Sequence, residues 1–209
     1  LTLLEKTPLV THLFTIMRDE TTDTQPFVLA ANRLTHMLVD KTLSLLPAKA
    51  TTVKTPCGTY KGTTLPKHSD ICAVSILRAA DCMLGVARDL MPGCSVGKVL
   101  IQRDETTARP KLIYSKLPPD VAQRHVLLFD PMLATGGSAI EAVRVLTAAG
   151  VHEAAIIFVN IVCCDEGLAA LAAACPGVRV VTAEVDPVLN EKKYIEPGLG
   201  DFGDRYFGT

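Results

Sequence analysis

The sequence predicts an α/β fold built on a five-stranded, mainly parallel sheet flanked by helices. Short, nearly continuous apolar runs recur from residue 71 onward: Ile71 to Leu77, Val99 to Gln102, Val126 to Phe129, Ala154 to Val162 and Val178 to Val185. These runs do not alternate with polar residues, as expected of parallel strands covered on both faces by crossover helices. Between the later runs lie two helix-like segments, Ala139 to Ala149 stopped by Gly150, and Glu166 to Ala174 stopped by Pro176-Gly177. The chain has 209 residues, 48% of them apolar, enough to bury one substantial core, so a single domain over 1–209 is expected.

The amino-terminal part, residues 1–70, reads differently from the sheet core at 71–185. From Gln25 to Leu46, Phe27, Val28, Leu34, Met37, Leu38 and Leu45 recur about every three to four residues, which predicts an amphipathic helix closed by Pro47. Thr51 to Leu65 is rich in Thr, Gly and Pro, with a turn candidate at Cys57-Gly58, and predicts short strands or an arm. Asp104 to Pro119, with its Thr, Arg and Pro residues, predicts a hairpin or mobile loop. The tail at 186–209 contains Gly198-x-Gly200-x-x-Gly203, formally a dinucleotide fingerprint. Such a fingerprint must open a helix inside a βαβ unit, and only six residues follow Gly203, so a loop is expected.

Composition narrows the function classes. Lys+Arg at 21 against Asp+Glu at 22 gives a formal net charge of -1, which disfavours generic capture of nucleic acid or of an anionic membrane. No apolar run approaches the ~20 residues of a membrane span, and the amino end, which begins at Leu1, lacks a charged-then-apolar signal pattern. The seven cysteines form no paired framework, and several lie in apolar runs, which fits buried thiols in a reducing, cytoplasmic setting. No Cys-x-x-Cys occurs and the five histidines are scattered, so no protein-built metal site is expected.

The most informative segment is Leu127-Leu128-Phe129-Asp130-Pro131-Met132-Leu133-Ala134-Thr135-Gly136-Gly137-Ser138, an apolar strand running into a small-residue loop that opens a helix. At the carboxyl end of a parallel strand, loop N–H groups and the next helix N-terminus converge on one point and make an anion site without lysine. Gly136 and Gly137 allow close backbone approach, and Thr135 and Ser138 add hydroxyl donors. Asp130, first after the strand, can accept from sugar hydroxyls or hold a hydrated magnesium ion. Two glycines alone would mark only a turn and a helix cap. The whole segment, however, resembles the phosphoribosyl-pyrophosphate (PRPP) signature of type I phosphoribosyltransferases, in the form found in the uracil phosphoribosyltransferase family. The tail Tyr194-Ile195-Glu196-Pro197-Gly198-Leu199-Gly200-Asp201-Phe202-Gly203-Asp204-Arg205 resembles that family's uracil-binding loop, and the likeness extends back to Pro8-Leu9-Val10 and Arg18-Asp19.

The resemblance implies the type I phosphoribosyltransferase fold, with a small hood and a β-arm. It further implies transfer of phosphoribose from PRPP to uracil, giving UMP and pyrophosphate in pyrimidine salvage. PRPP contacts then fall on Arg78, Arg103, Asp130, Pro131, Met132, Leu133, Ala134, Thr135, Gly136, Gly137, Ser138 and Asp201. Uracil contacts fall on Tyr194, Ile195, Gly200, Asp201 and Phe202, chiefly through backbone, with Asp201 and Arg103 as the catalytic pair. Magnesium would arrive with PRPP, GTP is an allosteric activator in some relatives, and the chain would self-associate as a dimer or tetramer with the hairpin near 104–114 crossing between subunits. Where the family usually reads Arg-Ala-Gly-Leu-Gly-Met, this chain has Arg78-Ala79-Ala80-Asp81-Cys82-Met83. A side chain there can block a positive φ, and an inward Asp81 would either repel pyrophosphate or help bind magnesium. Smaller departures are Gln102 in place of tyrosine and Cys163-Cys164-Asp165 in place of Ala-Ala-Pro. The rival expectations are a PRPP- or nucleotide-sensing homologue without turnover and a transferase for another base.

Overall fold

The computed structural model describes residues 1–103 and 110–209. Strand β1 (Thr2–Leu3) precedes helices α1 (Pro8–Arg18) and α2 (Thr24–Leu43). Strands β2 (Lys49–Thr55) and β3 (Gly58–Thr64) follow, then β4 (Ile71–Leu77), α3 (Asp81–Leu90), β5 (Ser95–Arg103) and β6 (Pro110–Lys116). Next come β7 (His125–Phe129), β8 (Met132–Leu133), α4 (Gly137–Ala148), β9 (Ile156–Cys164) and α5 (Asp165–Ala174). Strands β10 (Arg179–Asp186), β11 (Val188–Leu189) and β12 (Ile195–Glu196) and helix α6 (Phe202–Phe207) complete the described chain.

The five apolar runs are the five parallel strands β10, β9, β7, β4 and β5, neighbours in that order. Three further strands enlarge the sheet to eight: β1 extends it beyond β10, β8 pairs with β9, and antiparallel β6 closes the β5 edge. Two of these additions are only two residues long, too short for any periodicity to betray them. Strands β5 and β6 pair antiparallel, and the part of the expected hairpin or loop at residues 104–109 lies outside the described residues.

Strand residues divide by parity, which is why the runs are continuously apolar. Ile71, Ala73, Leu127, Phe129, Ile157 and Val159 face the cluster built with α1, α2 and α3. Their neighbours Cys72, Val74, Val126, Leu128, Ile156 and Phe158 face the cluster built with α4 and α5. Successive side chains of a strand point to opposite faces, and here both faces are covered.

Helix α2 begins one residue before the predicted span and ends at Leu43, with Leu46 buried after a turn. Helix α1 was not foreseen. Pro8 occupies its first turn, the Thr7 side chain accepts from the Val10 N–H at 3.2 Å, and Val10, Leu13, Phe14 and Met17 form its buried stripe. Strands β2 and β3 form an antiparallel hairpin of their own, the expected arm. The tail departs furthest from expectation: it carries the β11–β12 hairpin and helix α6, where a loop was expected.

Candidate active site

The site lies beyond the carboxyl ends of the central strands. Strand β4 has β5 on one side and β7 on the other, so the connections leaving β4 and β7 part there and leave a crevice, the usual ligand position in an open α/β sheet. After β7 the chain turns back on β9. The Asp130 N–H donates to the Val159 carbonyl at 3.2 Å, and the Pro131 carbonyl accepts from Ile161 and Val162 at 3.0 and 3.1 Å. Leu133 is 1% exposed within the α4–α5 core, so it can serve a ligand only through its backbone. Gly136, at φ 80°, turns the chain into α4.

Two residues to which sequence reasoning gave no role at the site, Cys164 and Gly167, hold this loop from behind. The Cys164 thiol donates to the Ala134 carbonyl at 3.0 Å. A Cβ on Gly167 would stand 2.4 Å from the Ala134 carbonyl oxygen and 2.8 Å from that of Leu133, so α5 can approach the loop this closely only with glycine there.

Residues 130–139 wrap a compartment of about 110 Å³, to which every residue from Met132 to Ser138 contributes, together with Asp130. Beside it opens a larger cleft of about 420 Å³ that shares Asp130, Met132 and Ala134 with the first. Its far wall is the tail: Tyr194, Ile195, Gly200, Asp201 and Phe202 all line it. Pro131 lines the cleft as well, so the two segments singled out in the sequence, far apart in the chain, bound one continuous space. Four lining residues were missed, Ala79, Lys192, Lys193 and Gly203. The lysine doublet immediately before Tyr194 was the readable signal, two cations abutting a loop otherwise read for its backbone.

The two carboxylates of the lining have different surroundings. Burial pushes the Asp130 carboxyl up to about 7, against the opposing pull of a hydrogen bond from the Met132 N–H. Asp201 is exposed and caps α6, its Oδ1 accepting from the Asp204 N–H at 2.9 Å. Phe202 lies in α6 rather than a loop; its ring is 2% exposed and packs edge-on against Phe27, leaving its backbone to face the cleft.

Of the two arginines, only Arg78 has a described side chain, and it stands off the cleft. Arg78 is turned to the tail, with Nη2 donating to Asp204 at 2.6 Å and Nη1 to the Thr209 hydroxyl at 3.2 Å, and it does not line the cleft. Arg103 ends β5, and its side chain lies outside the described residues. The unusual Ala80-Asp81-Cys82 stretch is unstrained. Ala80 has φ -73°, an ordinary right-handed conformation, and Asp81 opens α3 with its carboxylate 2.7 Å from Lys98 Nζ. An anion at a helix amino end, paired with a lysine, is favourably placed.

A family model described as uracil phosphoribosyltransferase matches residues 4–209. The chain belongs to the uracil phosphoribosyltransferase family. Among similar proteins, the uracil phosphoribosyltransferase of Dictyostelium discoideum is 50% identical over 198 residues, covering 94% of this chain and 91% of that protein. Uracil phosphoribosyltransferase 2 of Schizosaccharomyces pombe is 48% identical over 208 residues, covering 99% and 94%. A solved protein of Aquifex aeolicus superposes with a TM-score of 0.86 at 31% identity, covering 100% of this chain and 99% of that one. The fold alone is shared with an adenine phosphoribosyltransferase of Trypanosoma brucei, at a TM-score of 0.59 and 12% identity over 92% of this chain and 85% of that one. This membership of the uracil phosphoribosyltransferase family accounts for the long match at residues 127–138 and at the tail. No helix among the described residues is long and apolar enough to cross a membrane.

Proposed function

We propose that this chain transfers the 5-phosphoribosyl group of PRPP to N1 of uracil, releasing pyrophosphate and forming UMP. The observation that carries the reading is the continuous cleft, with an anion-binding loop at one end, a backbone-rich tail at the other and Asp130 on the boundary. In this reading the N–H groups and hydroxyls of Thr135 to Ser138, at the amino end of α4, hold the 5′-phosphate. Asp130 takes the ribose hydroxyls, and Ile195, Gly200 and Phe202 present backbone groups to the base, with Tyr194 at its edge. Arg78 and Arg103 are assigned to the pyrophosphate, which requires Arg78 to exchange its contacts with Asp204 and Thr209 for the ligand.

The chemistry breaks the C1′–O bond to pyrophosphate and makes the C1′–N1 bond, and N1 loses a proton. The transition state gathers positive charge on the ribose ring, so what accelerates it is a held leaving group, a positioned base and nearby negative charge. Asp130 fits that need: a carboxyl raised to about 7 becomes anionic more readily as positive charge develops beside it. Asp201, the carboxylate that the tail contributes to the lining, is assigned the N1 proton. The half-buried Asp130 carboxyl also suits a cation, and magnesium carried in with PRPP would supply charge neutralisation for the departing pyrophosphate.

Self-association as a dimer or tetramer belongs to the same reading. It is supported by the exposed Leu112, Ile113 and Tyr114 on β6 and by Val53 and Tyr60 on the β2–β3 arm. The test is turnover by the purified protein with PRPP and magnesium. Uracil, cytosine, hypoxanthine and orotate are offered in parallel, with and without GTP, while light scattering reports the assembly. UMP formed from uracil is the expected result; PRPP binding with no product from any base would overturn it.

A further inference from the structure

In the proposed reading the base meets backbone groups of Ile195, Gly200 and Phe202, and backbone has to be held in place by something else. Gly198 stands in the middle of that loop at φ 60°, where a Cβ would lie 2.0 Å from the Ile195 carbonyl oxygen. Both of its backbone polar groups are taken by one ion pair. The Gly198 N–H donates to Asp186 Oδ2 at 2.9 Å, and its carbonyl accepts from Arg18 Nη1 at 2.9 Å. Arg18 in turn grips the same carboxylate with both nitrogens, Nη1 to Oδ2 at 2.8 Å and Nη2 to Oδ1 at 2.7 Å. The planar fork of an arginine matches a carboxylate in this two-pronged way, and a lysine cannot. The Asp186 carboxylate is 4% exposed, so neither partner can be exchanged for water without leaving a buried charge unpaired.

The partners come from opposite ends of the chain. Arg18 is the last residue of α1, Asp186 the last of β10, and they meet only through the fold. Neither lines the cleft; together with Pro197 they line a separate surface groove on the other side of the loop. The next carbonyl, that of Leu199, accepts from Arg205 at 2.9 Å, and Arg205 also donates to the Asp19 carbonyl at 2.7 Å and to that of Met17. Two successive peptides just before Gly200 and Asp201 are therefore tied to the carboxyl end of α1, Gly198 directly by Arg18 and Leu199 through Arg205 of α6.

We infer that the Arg18–Asp186 pair is a positioning device for the base, fixing the height and tilt of the Gly198–Asp201 backbone and thereby the affinity for uracil. The inference rests on the proposed transferase reading for the identity of the base. Arg18→Lys keeps the charge and loses the fork; Asp186→Asn keeps the shape and loses the charge. In both variants KM for uracil should rise about tenfold, while KM for PRPP and kcat at saturating uracil stay within about twofold. An ordinary stabilising ion pair would not move one KM alone. Amide exchange at Gly198, whose N–H is the donor to Asp186, tests the pair without substrate: it should quicken at least about tenfold in either variant while β7 and β9 amides keep their protection. Unchanged exchange at Gly198, or both KM values and kcat shifting together, would overturn the inference. A wild-type chain that makes no UMP while the variants show quickened Gly198 exchange would defeat the transferase reading and leave the clamp standing.

Discussion

Asp130 lines the cleft with its carboxyl pushed up to about 7, and the cause is burial. An acid whose folded pKa exceeds its unfolded value binds its proton more tightly in the folded state. Its ionisation therefore drains stability as pH rises from about 3.8 to about 7. Asp130→Asn removes that drain. Compared at pH 8 without ligand, the variant should be the more stable by at most about 4 kcal/mol, with the difference shrinking to nothing near pH 4; paired denaturant titrations measure it. The same substitution should cut kcat/KM for PRPP by about a hundredfold or more and abolish the rise in rate through pH 7 that ionisation of Asp130 produces. Gly167 acts through the loop alone. Its Ala variant would drive a methyl into the Leu133 and Ala134 carbonyls, so KM for PRPP should rise about tenfold or more in steady-state kinetics while KM for uracil moves little.

Helix α6 shows how an element can be hidden in a sequence. Its six residues carry three aromatic pairs, Phe202 edge-on to Phe27 at 5.4 Å, Phe202 stacked on Tyr206 at 5.8 Å and Tyr206 edge-on to Phe207 at 5.1 Å, with the Tyr206 hydroxyl donating to Asn32 Oδ1 at 2.8 Å. A single short turn offers no period to read, and its stability is tertiary, borrowed from α2. Phe202→Ala should therefore destabilise the protein by about 3 kcal/mol and lower Tm by on the order of 10 °C. The long parallel strands were legible because both faces are buried and the apolar runs are unbroken. The lining from Asp130 to Ser138 was legible because it is one contiguous segment of small residues following a strand. What the sequence could not reveal depends on contacts between distant segments: Arg78 drawn to Asp204, Cys164 and Gly167 behind the loop, and Arg18 beside Asp186. Arg78 had the right residue type after the right strand, but its partner sits 126 positions away, beyond any local pattern.

At the scale of the whole molecule, a net charge of -1 means that no general field draws a polyanionic substrate to this protein, so PRPP must be held by local geometry. That geometry is anchored in both cores. Leu133 is part of the α4–α5 cluster, while Met132 and Ala134 pack against the cluster formed with α1, α2 and α3. A ligand seated in the loop thus bridges two halves of the fold that must separate on unfolding, and its binding energy enters global stability in full. PRPP with magnesium at about a hundred times its Kd should contribute about 2.7 kcal/mol and raise Tm by about 5–10 °C. In the proposed reading UMP spans from the loop after β7 to the tail, so it should raise Tm at the corresponding multiple of its Kd and also slow amide exchange at Gly198. Inorganic phosphate, which the same reading confines to the smaller compartment, should raise Tm without that second effect. A thermal scan combined with exchange at Gly198 separates the two ends of the cleft: if phosphate protects Gly198 as well as UMP does, the ends are not independent and the division of labour between loop and tail fails.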